Sequence, residues 1–317
     1  MSKQLPRLNV IKLAPVQVER IWGGTWLREQ FGFKTKSENI GETWVISAHP
    51  SGNCRILNHL YYGMTLSELY AKRRDLFAFD KNEKFPLLVK LIDAKDDLSV
   101  QVHPGNEYAQ KHEKQSGKSE AWVILNTKPG TRILVGHSAK TREQLRDLIY
   151  QGEWNKLLSY RPLEIGEIVN IPSGTLHAIC AGTSLIEIQQ SSDVTYRVYD
   201  YDRVDGNGHK RELHLDKSID VIDVPHVTAP IRKIPISQKK NYLQELLLTP
   251  HFTINSLIVD KCFSFYNEAE KYYLVTVIDG TGKIGAFNAK KGDSFIITSL
   301  VKKLKIQGCL NLIIANT

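Results

Sequence analysis

Ser99, Gln101 and His103 recur at strand spacing within the stretch 98–103, and a carboxylate and a second imidazole stand in comparable settings at Glu120 and His177. In an extended chain successive side chains alternate between faces, so these three share one face while Leu98, Val100 and Val102 share the other. Alternation of this kind ordinarily marks a strand whose polar side meets water. The neighbours favour an inward-facing polar side instead. Glu120 opens the run Glu120-Ala121-Trp122-Val123-Ile124-Leu125, aromatic and β-branched as strands are. His177 follows a Pro172-Ser173-Gly174 turn that ends a second strand-like run, Glu167–Ile171. Two imidazoles, a carboxylate and a glutamine amide meeting inside a small barrel make a donor set for zinc or another divalent first-row ion, without selecting among them.

These residues need a β framework to bring them together, and the chain supplies one. The run Leu87–Ala94 is an apolar strand interrupted by one cation, Lys90, which either snorkels out of the core or enters a polar cavity; the proximity of Ser99 favours an anion-binding role. Lys118, two residues before Glu120, shares its face if the strand begins there, where it can deliver or accept a proton. In Thr183–Gln190, Leu185, Glu187 and Gln189 fall on one face, so Glu187 is placed toward a cavity, with Ile186 and Ile188 opposite. Arg197 lies in an aromatic, carboxylate-rich stretch, 193–203, where it either pairs with Asp200 or Asp202 or serves a ligand's anionic oxygens. Upstream, Trp22 and Trp26 read as core and Glu42 as a solvated strand residue.

Helices are few. Thr65-Leu66-Ser67-Glu68 and Thr141-Arg142-Glu143-Gln144 both read as capping boxes, opening helical segments over about 65–80 and 141–158. The polar stretch 105–117 reads as a loop or short helix over the barrel mouth. Residues 224–240 hold three prolines and read as a linker, after which short strands with turns at 279–282 and 291–293 suggest a small β-sandwich. The expected organisation is a metal-binding domain over residues 1–225 and a second β domain without a metal site over residues 241–317.

The chain has 317 residues, 42% hydrophobic and 24% charged, which suits a globular protein with a substantial core. Its formal net charge of +8 suggests an anionic partner. The basic residues are scattered and lack interleaved aromatic stacking platforms, which argues against nucleic acid and for a small phosphorylated ligand. Four widely separated cysteines, Cys54, Cys180, Cys262 and Cys309, signal neither a disulfide framework nor a thiolate metal site. No apolar leader and no membrane-length apolar run is present, so no membrane association and a cytoplasmic location are expected.

In order and spacing, Trp22-Gly23-Gly24, Gly41-Glu42-Thr43-Trp44, Pro86-Leu87-Leu88-Val89-Lys90, Gln101-Val102-His103-Pro104, Lys118-Ser119-Glu120-Ala121-Trp122, Pro172-Ser173-Gly174-Thr175-Leu176-His177 and Tyr196-Arg197-Val198-Tyr199-Asp200 resemble the type I mannose-6-phosphate isomerases of the short bacterial form, in the cupin superfamily. The resemblance covers most of residues 22–203. It implies a mainly β fold, a cupin jelly-roll barrel with a small helical insertion and a second, C-terminal cupin-like β-sandwich. It implies one zinc ion per chain, a phosphorylated hexose as substrate, and a monomer or homodimer. Position by position, His103, Glu120 and His177 match the metal ligands and Gln101 a fourth; Arg197, Lys118 and Glu187 match catalytic groups; Ser99 and Lys90 match residues near the sugar phosphate. The sequence departs at Gly292-Asp293-Ser294-Phe295-Ile296-Ile297-Thr298, where the family often has proline at the last position.

The reaction so implied is an aldose–ketose interconversion, in which a proton moves between C1 and C2 through an enediol. Glu187, Lys118 or a hydroxide on the metal are alternative bases. Two other classes share the donor set: a metal-dependent cupin oxygenase, revealed by oxygen consumption with Fe(II), and a non-catalytic sugar-binding cupin, revealed by binding without turnover.

Overall fold

The computed structural model describes residues 8–35, 37–204, 208–234 and 239–317. Its functional half is built from two sheets. A seven-stranded sheet runs in the order 232–233, Glu167–Ile171, Glu120–Thr127, Thr183–Gln190, Leu87–Ala94, Val16–Gly24 and Ile40–Ile46. A five-stranded sheet runs in the order Leu158–Pro162, Arg132–His137, His177–Ile179, Val100–Val102 and Tyr196–Tyr199. Every pairing in both is antiparallel, as the jelly-roll expectation requires.

Period-two alternation assigns each face of the larger sheet. Val89, Leu91, Ala121, Val123, Ile186 and Ile188 are buried in the main apolar core. The residues between them form a row in strict register: Trp44 opposite Lys90, Lys90 opposite Glu187, Glu187 opposite Trp122. Directly opposed residues on neighbouring strands project to one side, so a cation and a carboxylate flanked by two indoles share a face. On the smaller sheet His177 is opposite Gln101, and Gln101 is opposite Arg197.

The C-terminal strands form an eight-stranded sheet that also takes in Val10–Ala14 and 55–56 from the amino-terminal part. Leu246, Phe252, Leu274, Ile296 and Ile313 join Leu66, Phe77 and Phe85 in one core cluster, so the carboxyl-terminal strands pack directly behind the first helical segment. The turn expected over 279–282 is absent; Tyr273–Ile284 is one strand with a bulge after Val277. Its glycines serve contact instead. A Cβ on Gly280 would lie 2.0 Å from the Cys309 carbonyl oxygen, so the bare backbone permits the strands to meet.

The Thr65 capping box forms reciprocally and opens the helix Leu66–Lys72, followed by a 3-10 turn, Arg74–Phe77. At Thr141 only half of it forms. Thr141 Oγ1 accepts from Gln144 N–H, but Gln144 Oε1 accepts from Lys140 N–H rather than from that of Thr141, and the helix runs Arg142–Tyr150 with a further turn Trp154–Leu157. Stretch 105–117 contains the helix Asn106–Glu113. Within the expected linker, Arg232 and Lys233 pair with Ile168 and Glu167 as the edge of the larger sheet. Among the described residues no helix is long and apolar enough to cross a membrane.

Candidate metal centre and active site

His103 directly follows the strand Val100–Val102, Glu120 begins its strand and His177 begins its own. One donor atom from each lies within 4.8 Å of the other two, and all three residues are buried. His103 Nε2 is 3.3 Å from Glu120 Oε2, and His177 Nε2 is 3.4 Å from Glu120 Oε1. The opposite ring nitrogens are committed outward. His103 Nδ1 lies 2.9 Å from the Val194 carbonyl oxygen and His177 Nδ1 lies 2.8 Å from that of Thr175. A carbonyl only accepts, so each Nδ1 carries the proton and each Nε2 lone pair faces Glu120, the arrangement that orients histidine ligands in metal sites.

Donor atoms with no internal partner are what a cation would satisfy. His103 Nε2 and both Glu120 oxygens are buried without a hydrogen bond among the described residues, which native interiors rarely tolerate. Burial, then the Lys118 charge, pushes the His103 pKa down to about 3 and keeps the ring neutral. For Glu120 burial works the other way, but opposing effects led by the Lys118 charge outweigh it and hold the carboxyl well below its ordinary value. A neutral imidazole and an ionised carboxylate are the ligating forms. The residues fit a divalent metal.

Gln101 reaches this centre through its amide, whose Nε2 is 3.4 Å from His177 Nε2. Lys118 Nζ is 2.9 Å from Glu120 Oε2. Both line a cavity of about 390 Å³ whose wall also carries Ser99, Lys90, Glu187 and Arg197. The structure therefore brings all nine site residues from the sequence to one place, with His103, Glu120 and His177 beneath the cavity wall.

Lys90 is 4% exposed and does not snorkel. Its Nζ lies 3.2 Å from Glu187 Oε1 and 5.2 Å from the Trp44 ring centre. Burial alone would lower its pKa, but Glu187 and Glu42 outweigh that and raise it. Glu187 is raised, by burial first and then by the Glu120 charge, with Lys90 opposing. Its Oε2 accepts from Trp122 Nε1–H at 3.1 Å, while Oε1 lacks hydrogen-bond geometry to any described residue. Arg197 makes neither expected ion pair. Its Nη1–H donates to the Glu212 carbonyl, its Nε is buried without a hydrogen-bond partner among the described residues, and burial followed by the Arg211 charge lowers its pKa. Asp200 is taken by Arg203 and Arg211, and Asp202 by Lys210.

Phosphomannose isomerase type I, catalytic domain, is the family model that matches, over residues 10–141. A mannose-6-phosphate isomerase of Streptococcus mutans is 41% identical over 305 residues, which are 94% of this chain and 95% of that protein. The chain belongs to the type I phosphomannose isomerase family. Mannose-6-phosphate isomerase ManA of Bacillus subtilis is 39% identical over 312 residues, 95% of this chain and 97% of that protein. The crystal structure of a Bacillus subtilis mannose 6-phosphate isomerase superposes with a TM-score of 0.92 at 38% identity, covering 98% of this chain and 100% of that one. A zinc-bound mannose 6-phosphate isomerase, 14% identical and with a TM-score of 0.78 over 98% of this chain and 100% of that one, shares the fold. The chain is thus an isomerase-family enzyme with a cupin-like architecture.

Other residues of the cavity in this type I phosphomannose isomerase family member escape the sequence reading. Glu42, expected in solvent, is 7% exposed and on the cavity wall. Its Oε2 accepts from Trp44 Nε1–H at 2.7 Å and both oxygens face Arg20, so burial is overcome by Lys90 and Arg20 and its pKa falls to about 2. A tryptophan two residues from a glutamate on one strand was the available signal. Arg20 and Arg211 also line the cavity. Nothing near Arg211 in the sequence marks it, because its placement depends on contacts made by the returning chain after 208.

Proposed function

We propose that this protein interconverts mannose 6-phosphate and fructose 6-phosphate. The observation that carries this reading is the buried His103–Glu120–His177 donor set beneath a cavity walled by Gln101, Lys118, Glu187 and Arg197, in a chain of this family. Residues 1–225 hold this apparatus, and residues 241–317 complete the core behind it.

We assign one zinc ion per chain to His103 Nε2, Glu120 and His177 Nε2, with the Gln101 amide oxygen as fourth donor once the amide is turned toward His177. Bound there, the ion supplies Lewis acidity for negative charge on the substrate's carbonyl or enediol oxygen. The chain's own residues do the rest. Arg197 presents a guanidinium whose Nε makes no hydrogen bond among the described residues, suited to hold a sugar oxygen as charge develops on it. Glu187 Oε1 is the proton acceptor at C1 or C2: its partner Oε2 is fixed by Trp122, Lys90 Nζ at 3.2 Å is its one close charged neighbour, and a raised carboxyl pKa brings it nearer the working pH. Lys118, its Nζ 2.9 Å from Glu120 Oε2, supports the site as a proton donor or fixed charge. Ser99 stands toward the substrate's phosphate end, whereas Lys90, 3.2 Å from Glu187 Oε1, stands beside the proton acceptor rather than at the phosphate where the sequence reading put it.

The test is a coupled assay with mannose 6-phosphate on protein as purified, after chelation, and after zinc is added back. Turnover that disappears and returns with metal is expected. Folded, zinc-loaded protein with no turnover would sink the reading. Deuterium from solvent should enter C1 of the fructose 6-phosphate formed, and E187Q should abolish that exchange.

A further inference from the structure

Ser99 and Gln101 line the cavity on either side of Val100, and His103 follows just past the strand Val100–Val102, so the cavity has a direction. Four residues of extended chain separate Ser99 from His103, about 13 Å at strand rise, enough to part the reacting carbons of an open-chain hexose from its phosphate. Tyr199 pairs with Val100, which places the following Asp200 at the Ser99 end.

The charges on the wall are unequally compensated. Lys90 is matched by Glu187, Lys118 by Glu120 and Arg20 by Glu42. Asp200 alone serves two arginines. Arg203 spends its donors on the frame, on the Asp200 carboxylate, the Asp200 carbonyl and the Asp97 carbonyl. Arg211 grips the same carboxylate through Nε, at 2.7 Å from Oδ2, and through Nη2. Its Nη1 makes no hydrogen bond among the described residues, and Arg211, unlike Arg203, lines the cavity. The trio carries a net single positive charge and holds a pre-oriented guanidinium on the cavity wall, an arrangement that suits a phosphate.

We propose that Arg211, clamped by Asp200, binds the phosphate of the sugar phosphate and sets the preference for phosphorylated substrates. This rests on the isomerase reading and adds a residue to it. Arg197 then serves the reacting end and Arg211 the anionic end.

The experiment compares zinc-loaded wild type, Arg211→Gln and Arg211→Lys by steady-state kinetics with mannose 6-phosphate and by calorimetric titration with inorganic phosphate alone. R211Q should raise KM about tenfold or more, with kcat changed less than about threefold, and should weaken phosphate binding by a similar factor; R211K, which keeps charge and loses the fork, should fall between. Unchanged KM and phosphate affinity in R211Q would overturn the proposal, as would a fall in kcat at constant KM and affinity. If wild type turns over no sugar phosphate, the isomerase reading fails, while the phosphate titrations still decide Arg211. Should R211Q not fold, the R211K titration decides alone.

Discussion

Lys90 Nζ and Glu187 Oε1 lie 3.2 Å apart, on directly opposed residues of adjacent strands, with both side chains almost wholly out of water. A buried pair costs much to desolvate, and losing one partner leaves an uncompensated charge. E187Q is therefore expected to lower stability by about 3 kcal/mol or more. The double variant K90M/E187Q should recover most of that loss and still show no turnover. Urea unfolding beside kcat measurements separates the two roles; activity in the double variant would remove Glu187 from the chemistry.

Replacing Arg197 by Ala should lower kcat about a hundredfold or more, the scale on which a lost charge-stabilising donor acts, with bound metal unchanged. Elemental analysis against activity checks this. Loss of metal in R197A would make its role one of holding the Gln101 neighbourhood.

Glu120→Gln should behave in the opposite way. The amide removes the one negative charge in the donor set, so metal content should drop well below one per chain and excess zinc should restore activity only in part. In wild type, chelation leaves His103 Nε2 and Glu120 Oε1 buried without a hydrogen bond among the described residues, with Lys118 the one cation beside Glu120, so Tm should fall on chelation and rise with zinc concentration.

Glu42 ties stability to acid. Its folded pKa is about 2, against an ordinary 4.5, because Lys90 and Arg20 overcome the effect of burial. A depressed carboxyl contributes stability that is complete above the ordinary value and is lost as pH falls through the folded one. Unfolding measured between pH 4.5 and 2 should show that loss, and E42Q should be less stable at neutral pH and flatter across the window.

Thr65→Ala removes a side chain in a complete capping box and should cost about 1 kcal/mol, with kcat and KM unaffected. A chemical denaturation midpoint shift without kinetic change would show that this helix acts in packing.

Much of the site was legible because strands impose a period of two. The spacing of Ser99, Gln101 and His103, and of Leu185, Glu187 and Gln189, determined which side chains share a face, and the polar composition of that face marked a cavity. The apolar runs likewise determined the β class and the capping residues the first helix. Register was beyond the sequence. That Lys90 meets Glu187 and Trp44, or that Gln101 sits between His177 and Arg197, depends on how strands distant in the chain align, which is settled by packing of both faces at once. For the same reason Glu42 read as solvated although it is buried, and the glycines at 280 and 282 read as a turn although they let two strands touch. Arg211 reaches the cavity through a carboxylate shared with Arg203. Sequence fixed the chemical kinds of groups present; the tertiary fold decided their partners, because compensation of buried charge is a property of space and not of chain order.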